Sequence, residues 1–146
     1  MKLSLLALLA TSSLASAGTA PEHRGFGRVV VTDTSCEILG PIVFLPNDAR
    51  VAPSSQRMLR AVADTMLGNP SIALMEVEGF ADASETSPEL LGLARATSVM
   101  AVLVADGVPM YRLQAGSLGA TQPLDKTAQH PEKNRRIEFL IVRRDS

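Results

Sequence analysis

At 146 residues, with 14 basic and 15 acidic side chains and a formal net charge of −1, the chain suits one domain with a substantial core. It carries no overall field that would draw it to nucleic acid or an anionic membrane, so any partner must be recognised locally. The single cysteine, Cys36, excludes an intramolecular disulfide and reads as a small buried hydrophobe, with an intermolecular bridge as the alternative.

Residues 1–17, MKLSLLALLATSSLASA, join an early lysine to an apolar stretch, a Ser-rich bridge and the small-x-small ending Ala15-Ser16-Ala17. That is the pattern of a cleaved export signal, with Gly18 as the first mature residue; an uncleaved interfacial helix is the poorer alternative. The apolar stretch is far short of the roughly 20 residues of a membrane span, and no later segment is expected to reach that length. The residue just after the expected cleavage site is Gly18 and not cysteine, so nothing there supports a lipid anchor. The polar, Gly- and Pro-containing run 18–27 has no period and reads as a flexible leader before one domain over 28–146, with its core in 36–142.

The β-branched run Arg28 to Thr32 and the apolar piece Cys36 to Leu45, broken at Gly40-Pro41, predict a strand or hairpin. From Pro53 to Leu67, Met58, Leu59, Val62, Ala63, Met66 and Leu67 recur at helical spacing, and Gly68-Asn69-Pro70 stops the helix. SIALMEVEG then alternates Ala73, Met75 and Val77 against Leu74, Glu76 and Glu78, a strand with one buried and one solvated face, ending at Gly79. Thr86-Ser87-Pro88-Glu89 predicts a helix start, with Thr86 and Glu89 at capping-box spacing and proline in the first turn. Leu90, Leu91, Ala94, Val99, Met100, Val102 and Leu103 form its apolar positions, and Asp106-Gly107 closes it. YRLQAGS and RIEFLIV predict two more strands, with Ile137, Phe139 and Ile141 sharing a face. The fold class is therefore an α/β (α+β) sandwich of order β-α-β-α-β-β, two helices on one mixed sheet.

No catalytic constellation emerges. The sequence has no G-x-S-x-G, P-loop or H-E-x-x-H pattern, and its two histidines, His23 and His130, fall in polar segments. Gly25-Phe26-Gly27 precedes a strand rather than a helix, which excludes a dinucleotide fingerprint. Met58, Met66, Met75 and Met100 lie on apolar faces and read as core filler. The chain is thus expected to be no enzyme and to use no cofactor or metal.

VEGFADASETSPELLGLARATSVMAVLVADGV, then RLQAGSLGATQP, then NRRIEFLIV, resembles the OmpA-like C-terminal domain family of OmpA/Pal/MotB-type peptidoglycan-binding domains. The landmarks occur in family order from about Cys36 to Val142. The resemblance implies non-covalent binding of peptidoglycan through the diaminopimelate of its peptide stem, in the periplasm, with envelope or outer-membrane proteins as further partners. It places Asp82 and Arg95 at the ligand-binding aspartate and arginine, with Asn134 and Arg135 framing the same pocket.

The free end of diaminopimelate is a zwitterion, so an anion for its ammonium and a planar cation for its carboxylate suit it. On that expectation Asp82 pairs with the ammonium and Arg95 grips the carboxylate at one pocket mouth. Replacing either should weaken binding and spare the fold. Without the resemblance, Asp82 reads as a turn residue and Arg95 as an arginine lying over apolar surface. Arg136 reads as a solvated strand-end arginine. Phe80 and Ala81 replace the family's His-Thr, Gly92 a serine, Pro88 a common asparagine and Leu45 a common aspartate, which thins the polar support of the pocket. The alternative function is a degenerate module of this family that serves as an envelope scaffold or protein-interaction domain.

Overall fold

A computed structural model describes residues 29–146. The expected export signal and leader, together with His23 and the Gly25-Phe26-Gly27 stretch, lie outside the described residues. The chain forms β1 (Val29–Val31), β2 (Ser35–Ile38), α1 (Gln56–Gly68), β3 (Ile72–Phe80), α2 (Pro88–Ala105), β4 (Leu113–Gly119) and β5 (Ile137–Arg144). One five-stranded sheet has the order β1-β2-β5-β3-β4, with β3 and β4 parallel and every other neighbouring pair antiparallel. Helix α2 is the crossover between the parallel strands, as such a pair requires.

The first strand region is a hairpin, and its second arm is shorter than the sequence predicts. Pairing stops at Ile38, because Gly40 lies against Met58 and Pro41 has no N–H to give a ladder. The chain then leaves the sheet but stays packed: Ile42 and Phe44 are buried, and the Val43 N–H donates to Ser55 Oγ at 2.7 Å. This detour carries the backbone carbonyls of Phe44, Leu45 and Asp48 toward the end of β3, where they matter below.

In α1 the periodic face is buried as expected, from Met58 through Met66, while Leu67 turns out to solvent. A 3₁₀ turn at Pro53–Ser55 precedes the helix. Its far end is fastened by Arg112, whose guanidinium donates to the carbonyls of Met66, Asn69 and Ile72 at 2.8–3.1 Å. Arg112 thereby ties the last turn of α1 to the first residue of β3.

The capping box does not form at α2. Ser87, not Thr86, is the N-cap; it sits in the left-handed region at φ 47°, and no side chain caps the first turn. The Thr86 N–H is instead taken by Asn47 Oδ1 at 2.8 Å, a tertiary partner that local spacing cannot reveal. The buried stripe of α2 is Gly92, Arg95, Ala96, Val99 and Leu103, whereas Leu90 is exposed. By length and mean hydropathy of 1.4, α2 could cross a membrane, contrary to the sequence expectation. Its contacts with β3 and β4 and its enclosed arginine make it a core helix here.

β3 does not end at Gly79 but runs through it to Phe80. Glycine is needed there for approach: a Cβ on Gly79 would come within 1.7 Å of the Gly92 carbonyl oxygen, so strand and helix backbones meet where both residues lack side chains. Gly79→Ala should therefore lower the unfolding free energy by about 1–3 kcal/mol, the usual penalty for overpacking. Urea denaturation would check it, and unchanged stability would mean that α2 can lift off the strand freely. Val77 and Met75 are fully enclosed, and Phe139 and Ile137 join them from β5. Cys36 is buried in the same core.

The opposite face of β3 is drier than expected. Glu78 is buried and stands directly across from Glu138. Burial, together with the neighbouring Glu76 and Glu138 charges, raises its carboxyl above the usual range, while Arg136 pulls the other way.

Candidate functional site

The end of β3, the loop before α2, the start of α2 and the segment entering β5 converge on four charged side chains. β3 delivers Asp82 two residues past Phe80; α2 delivers Arg95 two turns in; Asn134 and Arg135 arrive just ahead of β5. The fourth charged group, Glu85, lies three residues past Asp82 in the loop before α2.

Asp82 sits at a polar edge, 7% exposed. Its Oδ1 accepts Asn134 Nδ2 at 2.7 Å, and its Oδ2 accepts the Ser84 N–H at 2.9 Å together with the Ser84 hydroxyl. Asn134, Ser84 and the nearby Arg135 charge hold its carboxyl below the usual aspartate range against the opposing effect of burial. Among the described residues no cation forms an ion pair with it. Asn134 is itself pinned, its Oδ1 accepting the Asp125 N–H and its Nδ2 also donating to the Asp125 carbonyl. The anion is thus fixed in place by neutral groups, with its charge uncompensated.

Arg95 lies deeper than the pocket mouth expected for it. It is completely enclosed, and all five N–H donors of its guanidinium have partners. Nη2 donates to Glu85 Oε1 at 2.6 Å and Nη1 to Glu85 Oε2 at 2.7 Å, a two-pronged fork. Leu45 O, Phe80 O and Asp48 O take the remaining three donors at 3.0–3.3 Å, and the Phe44 ring lies 5.1 Å from the guanidinium carbon.

Glu85 is equally occupied. Its Oε2 also accepts the Asp82 N–H at 2.9 Å, and its Oε1 accepts the Asn47 N–H at 3.0 Å. Burial pushes its carboxyl up, but Arg95 and those two backbone donors outweigh it and leave the group below its usual range. The detour of the chain after β2 explains the enclosure. Residues 44–48 fold across the guanidinium, with Asn47 in the left-handed region at φ 55° so that its N–H and its side chain can each reach a partner.

Two arginines remain at the rim. Arg136 stacks on the Phe80 ring at 3.8 Å, donates to Glu138 and to the Gln122 carbonyl, and has one buried nitrogen, Nη1, without a partner. It is a packed side chain, not the solvated one expected. Arg135 is half-buried, and among the described residues only its Nε is engaged, donating to the Phe44 carbonyl at 3.3 Å. Of the four residues expected from the sequence, Asp82 and Asn134 are bonded to each other, Arg135 follows Asn134, and Arg95 lies enclosed behind them; the sequence gave Glu85 no part in the site. The signal available was its place between the aspartate and the arginine, ten residues before Arg95.

The OmpA family profile matches residues 43–136, and the chain belongs to that family. OmpA-like domains are non-catalytic peptidoglycan-binding modules. Among solved structures, the C-terminal domain of Helicobacter pylori MotB is 25% identical, with 69% of this chain and 82% of that one covered at a TM-score of 0.63. A longer periplasmic domain of the same protein is 22% identical over 83% of each chain, at a TM-score of 0.68. The peptidoglycan-associated lipoprotein of Burkholderia pseudomallei is 24% identical, covering 68% of this chain and 86% of that one at a TM-score of 0.60. No curated protein matches the sequence.

Proposed function

We propose that this domain binds peptidoglycan non-covalently through the diaminopimelate of the peptide stem, and that it does so in the periplasm after export by residues 1–17. The observation that carries the reading is Asp82, a carboxylate held rigid by Asn134 and Ser84 with no cation on it among the described residues. A fixed anion with an open lone pair at a polar edge suits an ammonium group, and charge-assisted bonds of that kind are the strong ones. Asn134 and Arg135 form the rim of the same site. Arg95 contributes from beneath: it holds Glu85, and Glu85 in turn holds the Asp82 backbone N–H. The near-balanced net charge of −1 gives nucleic acid no purchase, and envelope or outer-membrane proteins are the further partners this placement suggests.

The enclosure of Arg95 favours a second reading, in which the module has lost the ligand and serves as an envelope scaffold or protein-interaction domain. Co-sedimentation with purified sacculi separates the two. The mature domain should pellet with diaminopimelate-type sacculi and be released by soluble muropeptides from the same source; a domain that stays in the supernatant would support the scaffold.

A further inference from the structure

We infer that Arg135, and not Arg95, is the residue that reads the ligand's carboxylate in this chain. The inference rests on the binding role just proposed for the site and names the side chain that decides its specificity.

The two arginines differ in what they have left to offer. Planar recognition of a carboxylate needs two parallel N–H groups of one guanidinium. On Arg95 both prongs already hold a carboxylate, that of Glu85, at 2.6 and 2.7 Å, and the other three donors hold carbonyls. A ligand could take that place only by expelling Glu85 from a pocket in which its side chain is 2% exposed, stranding a charge that also anchors Asn47 and Asp82.

Arg135 presents the opposite picture. Its Nε donates to the Phe44 carbonyl at 3.3 Å, while neither Nη has a partner among the described residues. It follows Asn134, the residue bonded to Asp82, and its charge acts on the Asp82 carboxyl. The exposed Glu132 also feels that charge, but its ion-pair partner among the described residues is His130. Arg136, the third candidate, is committed to Phe80, Glu138 and Gln122. An anion without an ion-pair partner and a cation with two open donors are therefore linked through Asn134, which bonds the one and precedes the other in the chain, a pairing that suits the ammonium and carboxylate of a zwitterionic amino-acid end.

The test compares two soluble muropeptides that differ only in whether the stem residue is diaminopimelate or lysine, titrated calorimetrically into the mature protein. Wild type should prefer the diaminopimelate stem by roughly ten- to a hundred-fold, the range for one charge-assisted contact. R135Q should bind both stems at the weaker affinity, and R135K, which keeps the charge and loses the fork, should retain only part of the preference. R60Q, on the exposed face of α1 and outside the site, should leave the preference unchanged. An R135Q protein, folded by circular dichroism, that still discriminates like wild type would overturn the inference. So would a gain in diaminopimelate affinity on E85Q, since Arg95 would then be the reader. If wild type neither pellets with sacculi nor binds either stem, the proposed function fails and this inference with it. Sacculus binding that R135Q leaves fully selective removes the inference alone.

Discussion

Glu85→Ala should destabilise the domain by about 3–5 kcal/mol, a large share of the roughly 5–15 kcal/mol that holds a domain of this kind folded. The substitution leaves the Arg95 guanidinium enclosed with two donors unpartnered and no anion, and it frees the Asp82 and Asn47 N–H groups as well. Arg95→Ala should be as damaging for the mirror reason. It strands the Glu85 charge and removes the donors that join Leu45, Asp48 and Phe80, three points distant in sequence. Each single variant therefore reports the cost of an uncompensated buried charge, not the net worth of the pair. The double variant with apolar replacements should lose less than the sum, because neither charge is then left behind. Urea denaturation of the four proteins measures this. A loss below about 1 kcal/mol for Glu85→Ala would mean that water reaches the pair, and that residues 44–48 do not stay closed over it. The sequence resemblance predicts that Arg95→Ala spares the fold; its enclosure reverses that expectation.

Asp82→Ala should give the largest effect on binding, a loss of roughly ten-fold or more in affinity for sacculi, since one charge-assisted bond to an ammonium contributes about 1.5–3 kcal/mol. Stability should suffer less than at Glu85, because what Asp82 leaves behind is neutral: the Ser84 N–H and hydroxyl and one amide hydrogen of Asn134. Ser84 is exposed enough to turn to water, and Asn134 keeps its bonds to Asp125. Sedimentation isotherms with a fixed mass of sacculi, run beside circular dichroism, keep the two effects apart. A folded Asp82→Ala protein that pellets like wild type would show that the ammonium of the stem is held elsewhere, and the binding site would have to be sought on another face.

The contrast between these two carboxylates marks how far the sequence reached. Periodicity located both helices and the three long strands to within a few residues, because a buried stripe at 3.6 or 2 residues is written locally. Boundaries shifted where long-range partners intervened. The arm after Ile38 left the sheet at Gly40-Pro41; β3 ran on past Gly79 because Gly92 gave it room; the cap at Thr86 was claimed by Asn47. Leu90 and Ala94 fit an apolar pattern in α2, yet the stripe that faces the sheet passes through Gly92 and Arg95 instead. A charge at the centre of a buried stripe is visible in sequence only as a charge.

By itself the sequence determined the α+β order, the apolar face of α1, the absence of a catalytic constellation and, through the landmarks ending at Asn134-Arg135-Arg136, the family. It also placed Asp82, Asn134 and Arg135 among the candidates. Only the tertiary structure decided which of the two arginines keeps donors without a partner among the described residues. Arg95 and Arg135 carry the same group, and a guanidinium's capacity to bind is set by how many of its five N–H donors are already held. Those partners come from Leu45, Asp48, Phe80 and Glu85 for one arginine and from Phe44 for the other, brought together by a chain detour that no local spacing encodes.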